Sequence, residues 1–418
     1  MKILIKSATI IDASSPFHKQ TKDILIQNSQ IVQIDDFIAT SGSEEINLKD
    51  LHVSRGWFDS SVSFGEPGFE GRETIKNGLK SASAGGFTAV VLNSNPVSLI
   101  HSASQVDFVK TKAANQATAL KSLGTVSKEG QGDQLAELFD MHQHGAVGFY
   151  DYQCDMSNVE LLKLALQYTS DFNGLVMSFP LDTKLAKTGV MHEGATSTSL
   201  GMHGMSTSSE ISRVQRDLEL LRYTGGRLHI PTISCKESVA LIKSAKEEGL
   251  NVTCSAAVNN LVFTDLALIE FDTNFKHNPP LRAQSDQNAL LSGLKDGTID
   301  LVTTDHNPLD IELKQVTFDQ ASFGSVGLET AFGALLKVFS LEEALEILTR
   351  GKSLFQLVSH PIEIGAQADL SLFSPTMVHN VTPESLISKS KNSCFIGHTL
   401  IGKAYGVVAN GCNSLSQQ

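Results

Sequence analysis

The chain has 418 residues, 41% of them hydrophobic and 19% charged, the balance of a globular protein with a sizeable core. A formal net charge of −12 argues against a general nucleic-acid binder, which needs concentrated Lys and Arg, and no apolar run approaches the ~18 residues that span a bilayer. The five cysteines (Cys154, Cys235, Cys254, Cys394 and Cys412) are scattered without a C-x-x-C pair, so reduced thiols in a cytoplasmic protein are expected.

Met1–Lys6 alternates too early and is too short to serve as a signal peptide. Lys2–Lys6, Asp23–Gln27 and Gln30–Asp35 have strand composition, and Ala368–Phe373 and Lys403–Val408 read the same way near the other end. Strands at both ends imply one small β-domain assembled from residues 1–52 and 351–418.

Between them, over residues 53–350, eight short β-rich runs alternate with helical patterns. They are Trp57–Ser63, Phe87–Leu92, Ala119–Val126, Ala146–Tyr150, Leu175–Phe179, Arg227–Ser234, Asn251–Val258 and Ile299–His306. Glu237–Glu248 is one amphipathic helix of the series, and Gly249 stops it. Eight strand–helix units predict an α/β fold, a (β/α)8 barrel, with a small β-sandwich formed by both chain ends. A doubly wound sheet is the alternative, but no G-x-G-x-x-G follows the first strand. Barrels place their chemistry where strands end, which directs attention to Ser61, Ser63, Asn95, Asp151, Ser178, Thr232 and Asp305.

Several segments then carry a resemblance. Gly65-Glu66-Pro67-Gly68-Phe69-Glu70, Glu73-Thr74 and Ala84–Thr88 follow the first run; Asn278-Pro279-Pro280-Leu281-Arg282, Gly293–Asp300, Thr304-Asp305-His306 and Gly327–Thr330 close the series. In this order they resemble dihydroorotase and its cyclic amidohydrolase relatives. The resemblance implies an enzyme of pyrimidine biosynthesis that interconverts carbamoyl-aspartate and dihydroorotate by cyclic amide chemistry on zinc.

The same resemblance implies that this chain has lost its metal. Zinc wants converging imidazole and carboxylate ligands, and a strand-borne His-x-His supplies two on one face. The positions that the family gives to that pair hold Ser61 and Ser63, and those of two further histidines hold Ser178 and Thr232. Asp151 stands at the strand-four ligand and Asp305 at the family's general base, so two carboxylates remain, a set closer to a weak Mg²⁺ or Ca²⁺ contact than to zinc. The family's carboxylate-clamping Arg falls on Gly65, and a substrate-facing His falls on Leu309. Asn95 and Asn278 match the substrate-binding asparagines.

Other candidates have plainer readings. His142 and His144 lie at a helix end with their rings diverging, His229 reads as a core histidine, and His306 as packed or hydrogen-bonded. Asp182 and Lys184 read as solvated. Ser61, Ser63, Ser178 and Ser234 lack a nucleophile elbow.

The expectation is therefore a non-catalytic dihydroorotase homologue, with no cofactor, acting as a scaffold or partner subunit. Its partners would be a second copy, an active dihydroorotase or aspartate transcarbamoylase. Two alternatives stay open: a working cyclic amidohydrolase with an unusual metal site at Asp151 and Asp305, and a small-molecule module using Asn95, Asn278 and Arg282 to hold a carbamoyl-aspartate- or dihydroorotate-like ligand.

Overall fold

The computed structural model describes residues 2–416. Eight parallel strands follow one another in chain order within one sheet: Trp57–Val62, Phe87–Leu92, Ala119–Gly124, Ala146–Phe149, Leu175–Met177, Arg227–Ile230, Val252–Ala257 and Leu301–Thr303. The first two are buried at every position, as strands must be when a lumen lies on one side and helices on the other. Successive residues point to opposite faces. Accordingly Val91, Met177 and Leu301 join a lumen cluster with Phe58 and Leu123. Their neighbours Val90, Val176 and Val302 join the larger cluster shared with helical residues Leu79, Leu162, Ile242 and Leu290.

The helices form where the sequence caps them. Thr74 accepts from Asn77 N at 3.1 Å to open Ile75–Ala84, and Ser340 forms a capping box with Glu343 to open Leu341–Thr349. The amphipathic segment forms Lys236–Glu247 with Val239, Ile242 and Ala245 buried, and Gly249 follows in the left-handed region that stops it.

Both ends of the chain meet in a second sheet. Its centre places His52–Arg55 between Lys2–Ile10 and Asp369–Asn380; Thr21–Gln27, Gln30–Asp35, Thr399–Ala409 and Cys412–Leu415 extend it. Gly56 N donates to Asp369 O (2.8 Å) and Trp57 N to Ser371 Oγ (3.0 Å), so this sheet grips the start of the first barrel strand. Trp57 packs on Phe332 and Phe373, filling the junction.

The barrel seals between its first and last strands. Val62 bridges His306, and Ser63 N donates to His306 O at 2.7 Å. Asp59, with no exposed surface, clips the seam from within the first strand. It accepts from Ser61 N and Thr304 N (3.0 Å each) and from the hydroxyls of Thr303 and Thr304. Burial still pushes its carboxyl pKa above the usual range, opposed by those bonds.

Replacing Asp59 with Ala strands four donors in a dry interior. We expect a loss of at least about 3 kcal/mol in denaturant unfolding, since each buried unsatisfied donor costs about 1–3 kcal/mol. Asp59→Asn, which keeps one acceptor, loses less.

Candidate functional site

Asp59 and Ser61 lie in the first strand and Ser63 just past its end, where the pairing with the second strand shifts register between Asp59 and Val62 and the chain reaches the barrel mouth. Ser61 Oγ donates to Asp305 Oδ1 at 2.8 Å. Asn93, at the end of the second strand, donates to Ser61 Oγ (2.9 Å) and Ser63 Oγ (3.3 Å), and its own Oδ1 has no partner. The three residues form a buried hydroxyl–amide patch in which no group ionises near neutral pH.

Asp305 sits just past the last strand in the left-handed region, at φ +45°. That backbone turn ends the strand at Thr303 and aims the carboxylate across the mouth. Tyr152 OH donates to its Oδ1 (3.1 Å) and Gln153 Nε2 to its Oδ2 (3.1 Å). Burial pushes its pKa up to about 6, helped by the charge of Asp59 and opposed by the bonds from Ser61, Tyr152 and Gln153. Its hydrogen-bond partners are neutral, and among the described residues no Lys, Arg or His is among the groups that shift it.

Asp151 is committed elsewhere. It accepts from Val126 N (2.8 Å), Ser127 N (3.2 Å) and Ser127 Oγ (2.5 Å), fixing the loop after the third strand. Ser178 Oγ donates to Asp217 of the helix Ser208–Thr224 at 2.6 Å. Thr232 is buried with its backbone at φ +49°, and its N–H donates to Ser255 Oγ at 3.1 Å. Of the positions singled out in the sequence, the fold thus joins Ser61, Ser63 and Asp305, brings Asn278 beside them through Gln153, and ties Asp151 and Ser178 to other partners. Among the described residues no group of three or more His, Cys, Asp or Glu side chains is arranged to hold a metal ion.

Asn278 O accepts from Gln153 Nε2 at 2.9 Å, while its side-chain oxygen is buried without a partner. Asn95 Oδ1 turns back to accept from Val97 N, closing its own loop. Arg282 is not available as a ligand contact: its guanidinium is spent on Ser234 Oγ (3.0 Å), Met205 O (2.8 Å) and buried Glu210 (3.5 Å). Leu309 is buried and lines a separate surface cavity with Asp310, Lys314 and Asn392.

Gly65 is set in a closed turn, with Phe69 N donating to its carbonyl at 2.7 Å. A Cβ built there would lie 1.9 Å from Phe69 O.

The histidines behave as packing groups. His229 lies between Thr253 Oγ1 (2.9 Å) and Ser255 Oγ (3.2 Å), and burial pushes its pKa down to about 3. His306 Nδ1 accepts from Gly327 N at 3.3 Å. His144 contacts Asp107 Oδ2 (2.7 Å), whereas His142 stacks on Phe172. Asp182 is the N-cap of a short helix, accepting from Lys184 N and Leu185 N.

The sequence reading did not single out Asp59, Asn93, Tyr152, Gln153, Asn260 or His277. A carboxylate inside a run that is otherwise buried and uncharged, Trp57–Val62, was a usable signal for the first. Gln153 gave none, because its reach depends on its positive φ of 52°.

Residues 52–238 match the family model described as dihydro-orotase-like. A dihydroorotase of Pelotomaculum thermopropionicum is 36% identical, covering 98% of each chain, and one of Trichlorobacter lovleyi is also 36% identical with the same coverage. Among solved structures, an L-hydantoinase from Arthrobacter aurescens superposes with a TM-score of 0.83 at 20% identity, over 98% of this chain and 95% of its own, which supports the barrel-plus-sheet fold. Full-length identity at this level shows that the chain belongs to the dihydroorotase family.

Proposed function

We propose that this chain is a dihydroorotase homologue that has given up zinc chemistry and serves pyrimidine synthesis as a scaffold or partner subunit. One observation carries the reading: the mouth of the barrel is lined by hydroxyls and amides around one carboxylate, Asp305, which already accepts from Ser61, Tyr152 and Gln153. A zinc ion implied by the family does not fit these donors. Neutral Ser and Thr hydroxyls bind it poorly, and Asp151 faces Ser127 instead of Asp305. No catalytic step through a metal is therefore derived.

The substrate clamp supports the same reading. The position that the resemblance gives to the clamping Arg is Gly65, and the Phe69 carbonyl fills the space a side chain would need. A bidentate guanidinium contact has no substitute here. On this reading the working partner is a second copy, an active dihydroorotase or aspartate transcarbamoylase, the associations implied by the resemblance. A ligand-binding reading is favoured by one feature, the unpaired oxygens of Asn93 and Asn278.

Elemental analysis of purified protein is expected to find zinc well below one per chain, with no turnover of carbamoyl-aspartate or dihydroorotate. Stoichiometric zinc with turnover sinks the proposal. Gly65→Arg is expected to lower the melting temperature without restoring substrate binding; restored binding at unchanged stability contradicts the closed-turn argument. Asp305 gives a pH test. Its folded pKa, about 6, lies above the 3.8 of an ordinary aspartate, so it favours the fold at low pH and loses that contribution as pH rises through 6. The melting temperature of Asp305→Asn relative to the parent should therefore climb between pH 4 and 6 and level off above; a flat difference refutes the buried-carboxylate assignment.

A further inference from the structure

The surface cavity beside Leu309 has a volume of about 570 Å³, within the range of small-molecule sites. Its lining is of two kinds: the apolar side chains of Leu309, Ile311, Pro383 and Ile396, and three lysines, Lys314, Lys389 and Lys391. Lys314 Nζ donates to Thr273 O (2.7 Å) and Ser322 O (2.9 Å), Lys389 Nζ to Glu70 O (2.9 Å), and Lys391 Nζ to Leu386 O and Ser388 O (2.6 Å each). Every acceptor is a backbone carbonyl, and among the described residues none of the three ammonium groups lies within 4.0 Å of a carboxylate oxygen. An ammonium has three donors, so Lys314 and Lys391 each keep one and Lys389 keeps two. Lys314 is 6% exposed, which makes its missing counter-ion costly. Two carboxylates share the lining: Asp310 is taken by Arg72 at 2.7 Å, and Glu312 is exposed. A chain of net charge −12 thus gathers three cations without ion pairs on one cavity.

We propose that this cavity binds a small phosphate monoester, with its phosphate on the lysines and its organic part on the apolar side chains. The inference goes beyond the reading of the barrel mouth and does not depend on it. The cations present favour phosphate over carboxylate. A carboxylate is best met by the planar fork of an arginine, and Arg72, which reaches the cavity through Asp310, is already taken by it. Lysines act as point charges, which suit the spread charge of a phosphate dianion. A bare inorganic anion would leave Leu309, Ile311, Pro383 and Ile396 wet, whereas an organic ester covers them. Burial and the charge of Lys276 push the Lys314 amine down to about 7, and a dianion beside it favours the protonated form.

The test compares melting temperatures in phenyl phosphate, benzoate and sulfate at pH 7.5 and matched ionic strength. Millimolar phenyl phosphate is expected to raise the midpoint saturably by about 1–3 °C over sulfate, as a ligand bound only by the folded state does, and benzoate is not. The ³¹P resonance of phenyl phosphate should broaden on addition of the protein. Both effects are expected to disappear in the double variant Lys389→Ala/Lys391→Ala and to survive in Lys80→Ala, since Lys80 lines a different cavity. Should the double variant not fold, Lys389→Ala alone is expected to weaken binding by at least about threefold. An equal shift in benzoate or sulfate overturns the phosphate assignment. No saturable response, or a full response in the folded lysine variants, overturns the site. Zinc content and turnover bear on the mouth alone, so either proposal can fail without the other.

Discussion

The architecture turns on one buried carboxylate. A barrel sheet is closed only if its first and last strands meet, and here they meet through few direct contacts: the Val62–His306 bridge, the Ser63–His306 bond and the fan of donors on Asp59. A parallel seam made by backbone alone would need longer strands than the three residues Leu301–Thr303 provide. Asp59 makes up the shortfall by holding the hydroxyls and amide that follow the last strand. Because Asp59 also accepts from Ser61 N, whatever fixes the seam also fixes the floor of the mouth.

The charge of that clip reaches the mouth. Asp59 is one of the causes that raise the pKa of Asp305, alongside burial. Two carboxylates thus sit near one end of the barrel, and among the described residues no arginine or lysine offsets either of them. The backbone pays as well, since Thr232 and Asp305 both occupy the left-handed region, where a β-branched residue is an outlier costing about 1–3 kcal/mol. Strain and unpaired charge at strand ends mark the place where barrels build chemistry, and here they surround hydroxyls, amides and the carboxylate of Asp305.

The fold was legible because burial writes periodicity into the chain. All eight barrel runs appear as strands, and the end strands pair into one sheet. Boundaries failed where backbone geometry overrides composition: the sixth run stops at Ile230 and the eighth at Thr303, shortly before the positive φ angles of Thr232 and Asp305. The paired dipeptides Met191–His192 and Gly204–Met205 were invisible, being too short to show a period. At the site, residue types were readable at Ser61, Ser63 and Asp305, because motif spacing points to them. Their partners were not. Nothing in the sequence says that Asp151 turns to Ser127, that Arg282 is spent on Glu210, or that Gln153 reaches across to Asp305.

The closed turn at Gly65 bears on how such a chain changes over generations. Its carbonyl receives Phe69 N, and Phe69 O stands where any β-carbon would be. On the proposed reading, a codon change at residue 65 alone meets the neighbouring carbonyl before it can meet a ligand. An arginine there, as the resemblance implies for the family, needs the turn to open first, a step that costs stability and brings no binding of its own. On that reading the loop works as a ratchet: as it stands, the turn closes the simplest route to a clamping side chain at this position.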